Sequence, residues 1–188
     1  MLYISKGMVC PETVTGPLFL EKGNQKFQLQ GREAAVWLKG RFGFDMTESE
    51  AEERAVRYLA GKGLAEMEEE TGSVYKYRIL TRCICCPVKQ DQRMSSRLSG
   101  LERQLDTWMR KAGLHLSVAE LVFLREHHIA TDSGMFGIRN RQKLIETIYT
   151  KDNIQDNLLE HQMEQAECRD EVVEALMQLL KKKKILIV

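Results

Sequence analysis

The sequence predicts an α+β protein in which helices dominate. The first 30 residues hold short apolar segments separated by turn residues, a pattern typical of β-structure. From residue 31 onward, apolar residues recur mainly at three- and four-residue spacing, which is typical of amphipathic helices. Residues 46–80 interrupt this helical pattern with two segments that predict a β-hairpin directly after a helix. The chain therefore begins with mixed strands and helices and continues as a mainly helical part.

The N-terminal strands are predicted from apolar segments on either side of a turn. Residues 17–20 and 26–29 flank the turn Glu21–Gln25 and predict a hairpin, and residues 1–9 predict a further strand that pairs with a distant partner. Residues 31–41 then predict a helix whose core side consists of Ala34, Ala35, Val36, Trp37 and Leu38.

The segment from Met46 to Leu80 predicts a capped helix and a hairpin. Thr47 and Glu50 have the spacing of a capping box, in which each side chain accepts a hydrogen bond from the backbone amide of the other residue. Gly61 and Gly63 predict the end of this helix. Residues 64–69 and 74–80 then predict two paired strands, with Lys76 and Arg78 facing Glu66 and Glu68 across the ladder.

This order of helix, helix and hairpin resembles the winged-helix domain. Residues 57–66 and the following hairpin carry the resemblance, which extends over residues 31–82. The resemblance implies a recognition helix beginning at Thr47 and a function in binding DNA and regulating transcription. It gives the shape of the domain without identifying a particular winged-helix family.

A helix over residues 95–111 carries an apolar seam of the coiled-coil type. Leu98, Leu101, Leu105 and Trp108 lie on this seam, which suits either packing on the chain's own C-terminal part or pairing with a second copy. The second use predicts a homodimer, and Leu101→Glu with Leu105→Glu would then produce a folded monomer.

The C-terminal part predicts four helices and a terminal strand. The helices cover about 117–128, 138–150, 153–165 and 169–181, and the first opens with a capping box of Ser117 and Glu120. Residues 185–188 predict a strand, for which Leu2–Ile4 is one possible partner. The sequence thus predicts an N-terminal domain over 1–88, a linker helix over 89–113, and a C-terminal domain over 114–188 that is either a second winged-helix-like domain or a helical bundle.

Charge does not single out a nucleic-acid surface. The formal net charge is +1, and the predicted recognition helix opens with Glu48, Glu50, Glu52 and Glu53. The candidate DNA contacts are basic side chains at several places in the chain: Arg54, Arg57, Lys76, Arg139, Arg141, Lys143, Lys181, Lys182, Lys183 and Lys184. For a protein partner the candidates are the carboxylates of Glu50, Glu52 and Glu53.

The cysteines and the remaining motifs argue against several function classes. Cys83 and Cys86 form a C-x-x-C pair that is a weak metal candidate, because a structural zinc site needs about four ligands. The odd number of cysteines, five, does not resemble a disulfide framework and favours a reducing cytoplasm. We found no signal peptide, membrane span, phosphate-binding loop or nucleophile elbow.

These observations predict a non-catalytic cytoplasmic regulator without a cofactor. The resemblance favours a dimeric DNA-binding protein acting on double-stranded DNA. The alternative is an adaptor that binds a protein partner and no DNA, and an enzyme ranks third.

Overall fold

The computed structural model describes residues 1–10, 17–88, 98–112, 115–136, 140–150, 153 and 158–188. The chain forms two compact units, of which the first comprises residues 1–83 with 186–188 and the second residues 84–185. The predicted linker helix is part of the second unit. The predicted α+β class is confirmed, since helices alternate with small antiparallel sheets.

The first unit contains two three-stranded sheets. Its strands are β1 (Leu2–Ser5), β2 (Met8–Val9), β3 (Leu18–Lys22), β4 (Gln25–Leu29), β5 (Asp45–Met46) and β6 (Ala65–Glu68). One sheet has the order β5-β1-β6 and the other the order β2-β3-β4. The predicted hairpin is confirmed as β3 and β4, in the register Leu18↔Leu29 to Lys22↔Gln25.

The described residues of the first unit also form three helices: α1 (Gly31–Lys39), α2 (Glu50–Gly61) and α3 (Ser73–Thr81). A short 3-10 turn over Gly40–Phe42 follows α1. The core between α1, α2 and the sheets contains Trp37, Val56, Leu59 and Leu64, all without exposure to solvent. Gly40 fits here because a Cβ atom at this position would lie 2.6 Å from the Tyr3 ring. Ala35 and Leu38, which were predicted to be buried, are exposed.

The second strand of the predicted hairpin, over residues 74–80, is wrong, because residues 73–81 form α3. Tyr77 and Leu80 are buried at helical spacing, and α3 packs on β1 and β6. The N-terminal strand β1 pairs with β6 along four residues, from Leu2↔Glu68 to Ser5↔Ala65, so the sheet takes its central strand from the N-terminus. Local β-propensity in Val74–Leu80 is therefore overridden by tertiary pairing.

The predicted pairing of Lys76 and Arg78 with Glu66 and Glu68 across this hairpin is also wrong. Arg82, directly after α3, pairs with these carboxylates instead: its Nε lies 3.0 Å from Glu66 and its Nη1 lies 2.7 Å from Glu68. Lys6 approaches the same Glu66 carboxylate to 3.0 Å. The carboxylates of β6 therefore stabilise the first unit from within.

The N-terminus of α2 lies two residues later than predicted. Ser49 is the N-cap, and its hydroxyl accepts a hydrogen bond from the amide of Glu52 at 3.3 Å. The Thr47 hydroxyl, the predicted cap, is buried and has no hydrogen-bond partner among the described residues. Residues 45–46 extend as β5 against β1, which holds Thr47 outside the helix: its amide donates to the Met1 carbonyl at 3.1 Å.

The second unit is built from five helices within its described residues. They are α4 (Gly100–Lys111), α5 (Val118–Glu126), α6 (Arg141–Ile148), α7 (Leu158–Glu164) and α8 (Arg169–Lys181), and strand β7 (Cys85–Pro87) precedes them. The capping box of Ser117 and Glu120 is confirmed at the start of α5, and α8 has the predicted bounds. Leu144 and Ile148 of α6 are buried, whereas Ile145 of α6 and Leu158 of α7 are exposed.

The apolar seam of α4 packs inside its own unit. Leu105 and Trp108 are fully buried, and α4 packs against α8. Leu98 and Leu101 are half-buried. Of the two uses open to this seam, the structure shows docking on the chain's own C-terminal part, so Leu105 does not offer a surface to a second copy.

The final strand β8 (Ile185–Ile187) pairs with β7. The expected partner, Leu2–Ile4, pairs instead with β5 and β6. The chain end still contacts the N-terminal region of the first unit, since the Gly7 amide donates to the Ile187 carbonyl at 3.0 Å.

Candidate interaction surface

Helix α2 presents an outward surface, the α2 face, defined by Glu50, Glu53, Arg54, Arg57 and Tyr58. At 100° per residue these positions fall on one side of the helix, opposite the buried Ala55, Val56 and Leu59. Tyr58 is 52% exposed, which is unusual for a large aromatic side chain. The α2 face therefore combines an exposed ring with charges of both signs.

Both arginines of the α2 face are ion-paired. Arg54 lies 3.7 Å from Glu50, one helical turn earlier, and Arg57 lies 2.9 Å from Glu69. Arg54 and Arg57 remain largely exposed, at 73% and 50% of their side-chain surface. Lys62 places its Nζ 5.7 Å from the centroid of the Tyr58 ring, a cation–π distance.

Glu52, one of the three predicted partner-binding carboxylates, has a structural role. It accepts hydrogen bonds from Lys39 Nζ at 2.8 Å and from the Glu48 amide at 2.8 Å. These bonds, first of all the one from Lys39, lower the pKa of the Glu52 carboxyl. Glu52 thus stabilises the start of α2, and Glu50 and Glu53 remain on its outward surface.

This arrangement opposes the approach of a polyanion to α2. A DNA-binding helix gains affinity when lysine and arginine displace counterions from phosphates. Here each arginine already has a carboxylate partner, and Glu48 and Glu53 lie close to the helix start. Phosphates that contact Arg54 or Arg57 would therefore meet the repulsion of these neighbouring carboxylates.

The other predicted DNA contacts are spread over both units. Lys76 lies on α3 with its Nζ 6.0 Å from the centroid of the Phe44 ring. Arg141 and Lys143 are exposed in the first turn of α6, whereas Arg139 lies outside the described residues.

The lysines at the end of α8 do not form a uniform basic patch. Lys182 Nζ lies 2.6 Å from the buried carboxylate of Glu102 on α4. Lys184 is buried, and Lys181 and Lys183 are exposed. Lys182 therefore connects α4 to α8, a role that its position in the sequence did not reveal.

All five cysteines are free thiols. Cys83 is buried, its Sγ donates to the Ile79 carbonyl at 3.2 Å, and burial raises the pKa of its thiol to about 12. Cys86, the second weak metal candidate, lies on β7 with its Sγ 3.6 Å from Nδ1 of His115. In the described part of the chain, no group of three or more histidine, cysteine or acidic side chains is arranged to hold a metal ion.

Two features of these sites were missed at the sequence level. Tyr58 falls beside the apolar stripe of α2, and its offset from Ala55 and Leu59 was the available signal for an exposed ring. The contact of Cys86 with His115 joins residues 29 positions apart, so only the folded chain reveals it.

No protein-family model, curated protein or solved structure matches this chain significantly. Among the described helices, none has both the length and the apolar character needed to cross a bilayer.

Proposed function

We propose that this chain is a non-catalytic protein-interaction module that binds a protein partner through the α2 face. The observation that carries the proposal is the exposed ring of Tyr58 beside two ion-paired arginines. Tyrosine and arginine are enriched among the residues that contribute most binding energy at protein interfaces. The pairing of Arg54 and Arg57 with carboxylates disfavours the binding of DNA to the same surface.

The chemistry of the α2 face describes its partner. Tyr58 offers a flat apolar surface with a hydroxyl group, which fits a shallow apolar pocket. Toward the helix start, Glu53 lies about one and a half turns and Glu50 about two turns from Tyr58, and both would face basic side chains. We therefore expect a partner with an apolar pocket bordered by lysine or arginine, acting in the reducing cytoplasm that the free cysteines favour.

Quantitative co-purification with matched variants tests this proposal. Tyr58→Ala and Arg57→Ala each remove one side chain from the α2 face, while Ile145→Ala removes an exposed apolar side chain from α6 as a control. We expect one set of proteins to be lost with both α2 variants and retained with the control. An identical protein set for all four chains would contradict the proposal.

DNA binding is the second candidate, and α6 is the element that favours it. Arg141 and Lys143 are exposed in its first turn, where the helix dipole also attracts anions. If α6 contacts phosphates, affinity for a labelled random duplex falls steeply with salt and decreases when both residues become alanine. Absent or salt-independent retention of the duplex would exclude this candidate.

A further inference from the structure

Cys86 and His115 form a thiol–imidazole pair on the surface of the second unit. The Sγ atom of Cys86 lies 3.6 Å from Nδ1 of His115, within the range of a hydrogen bond to sulfur. Cys86 is half-buried and His115 is exposed, so a small molecule can approach the pair from solvent. The pair has no role in the proposed protein interface on α2.

We propose that Cys86 is a thiol-exchange site for low-molecular-weight disulfides and that His115 is its general base. The Cys86 S–H proton moves to Nδ1 of His115, and the thiolate attacks one sulfur of the disulfide R–S–S–R. The S–S bond of the reagent breaks as the bond between Cys86 and the R–S group forms. The released thiolate R–S⁻ then takes the proton from His115, so Cys86 is oxidised and one half of the reagent is reduced.

The other cysteines are in unsuitable positions for this reaction. Cys10, Cys83 and Cys85 are at most 4% exposed, which shields their sulfur atoms from a reagent. Cys168 is half-buried like Cys86, but its Sγ donates to the Val122 carbonyl at 3.7 Å and also interacts with the carboxylate of Glu126. Burial and this carboxylate raise the pKa of the Cys168 thiol to about 12, so it remains protonated. The two accessible thiols thus differ in their neighbour, a base beside Cys86 and an anion beside Cys168.

Burial makes the reaction at Cys86 depend on His115. Removing water from the thiolate raises the pKa of the Cys86 thiol above its ordinary value. Because of this raised pKa, little free thiolate is present at neutral pH. The thiolate, and not the thiol, is the nucleophile. A neighbouring imidazole that accepts the proton supplies the missing deprotonation step.

The test measures the attachment of glutathione to the reduced full-length chain. Oxidised glutathione is added at pH 7, and intact mass and peptide mapping follow the adduct at each cysteine. The variants are His115→Ala, Cys168→Ser and, as a matched control, His161→Ala, which removes another exposed histidine. Thermal unfolding confirms that each variant is folded.

We expect the adduct on Cys86 in preference to Cys168, and a rate at least tenfold lower in His115→Ala than in His161→Ala. This difference should narrow as the pH rises toward about 10, because hydroxide then removes the thiol proton without the imidazole. Free imidazole should restore part of the lost rate at pH 7. A purely structural role of His115 predicts neither the pH dependence nor the rescue.

Three results would overturn the proposal. They are an adduct mainly on Cys168, equal rates for His115→Ala and His161→Ala at pH 7, and a rate difference that persists unchanged at high pH. If His115→Ala does not fold, the wild-type chain still decides, since an adduct on Cys168 before Cys86 contradicts the site and the reverse order supports it.

Discussion

Helices α2 and α4 are each twelve residues long, yet they are used in different ways. Helix α4 buries the large side chains of Leu105, Trp108 and Met109. Helix α2 buries Ala55, Val56 and Leu59, none of them aromatic, and exposes Tyr58. Helix α4 thus contributes large side chains to the core of its unit, whereas α2 keeps a large aromatic side chain on the surface.

Their charged residues differ in the same way. On α4, Glu102 is buried against Lys182, and Asp106 lies 2.9 Å from Arg110 in a largely buried pair. On α2, Arg54 and Arg57 form pairs that remain exposed. The difference shows that an amphipathic pattern identifies a helix without revealing its role. The partners of the charged side chains distinguish α4, whose charges are buried within its unit, from α2, whose charges remain exposed.

The largest expected effect is on stability, when the large residues of each helix are truncated. Trp108→Ala should lower the free energy of unfolding by about 3–5 kcal/mol, because it leaves a cavity in the core. Tyr58→Ala should change the free energy of unfolding by about 0.5 kcal/mol or less, because the ring is half exposed. Urea unfolding followed by circular dichroism measures both, and similar losses for the two variants would break the contrast between the helices.

The ion pair between α4 and α8 should rank second. Lys182→Ala leaves the buried Glu102 carboxylate without its cation, so we expect a loss of about 1–3 kcal/mol, below that of a fully buried pair because Lys182 is partly exposed. The control is the neighbouring, exposed Lys181, whose replacement by alanine should cost about 0.5 kcal/mol or less. Equal unfolding midpoints for the two variants would show that Lys182 does not stabilise the unit.

The start of α2 offers a third test, at its observed and predicted caps. Ser49→Ala removes the hydroxyl that accepts the Glu52 amide and should cost about 1 kcal/mol. Thr47→Val keeps the shape of the side chain and removes a buried hydroxyl without a partner, so stability should stay equal or rise by up to about 1 kcal/mol. A larger loss for Thr47→Val than for Ser49→Ala would contradict the cap assignment.

The smallest effect should come from the exposed pair of Arg57 and Glu69. A double-mutant cycle with alanine at both positions should give a coupling of about 0.2–1 kcal/mol, because solvent screens the pair. A coupling well above this range would assign the pair to structure and weaken the case for a binding surface. The cycle needs only unfolding curves, measured at low and high salt.

Sequence patterns identified the elements that depend on local signals. The β3–β4 hairpin, the Ser117 cap and the bounds of α8 were predicted because turn residues, a capping box and a long apolar period each act within a few residues. Helix α3 was not predicted, since its β-branched and aromatic residues favour a strand unless another strand already occupies that position. In this chain β1 occupies it, over 60 residues earlier in the sequence.

The candidate surface was only partly predictable for the same reason. Glu50, Arg54 and Arg57 were identified from their position on a capped helix, and Tyr58 was not. The neutralisation of Arg57 by Glu69 depends on where β6 ends relative to α2, which no local pattern encodes. Likewise, Cys86 was noted for its spacing to Cys83, although its partner in the fold is His115.

Site-specific photo-crosslinking from position 58 shows whether the α2 face contacts a protein partner. A photoreactive phenylalanine derivative replaces Tyr58 in one chain and Ile145 in another, and crosslinked products are identified in cells by mass. We expect a discrete protein adduct from position 58 that position 145 does not give, and that disappears when Arg57→Ala is added. Crosslinks to nucleic acid from position 58, or the same products from both positions, would contradict this expectation.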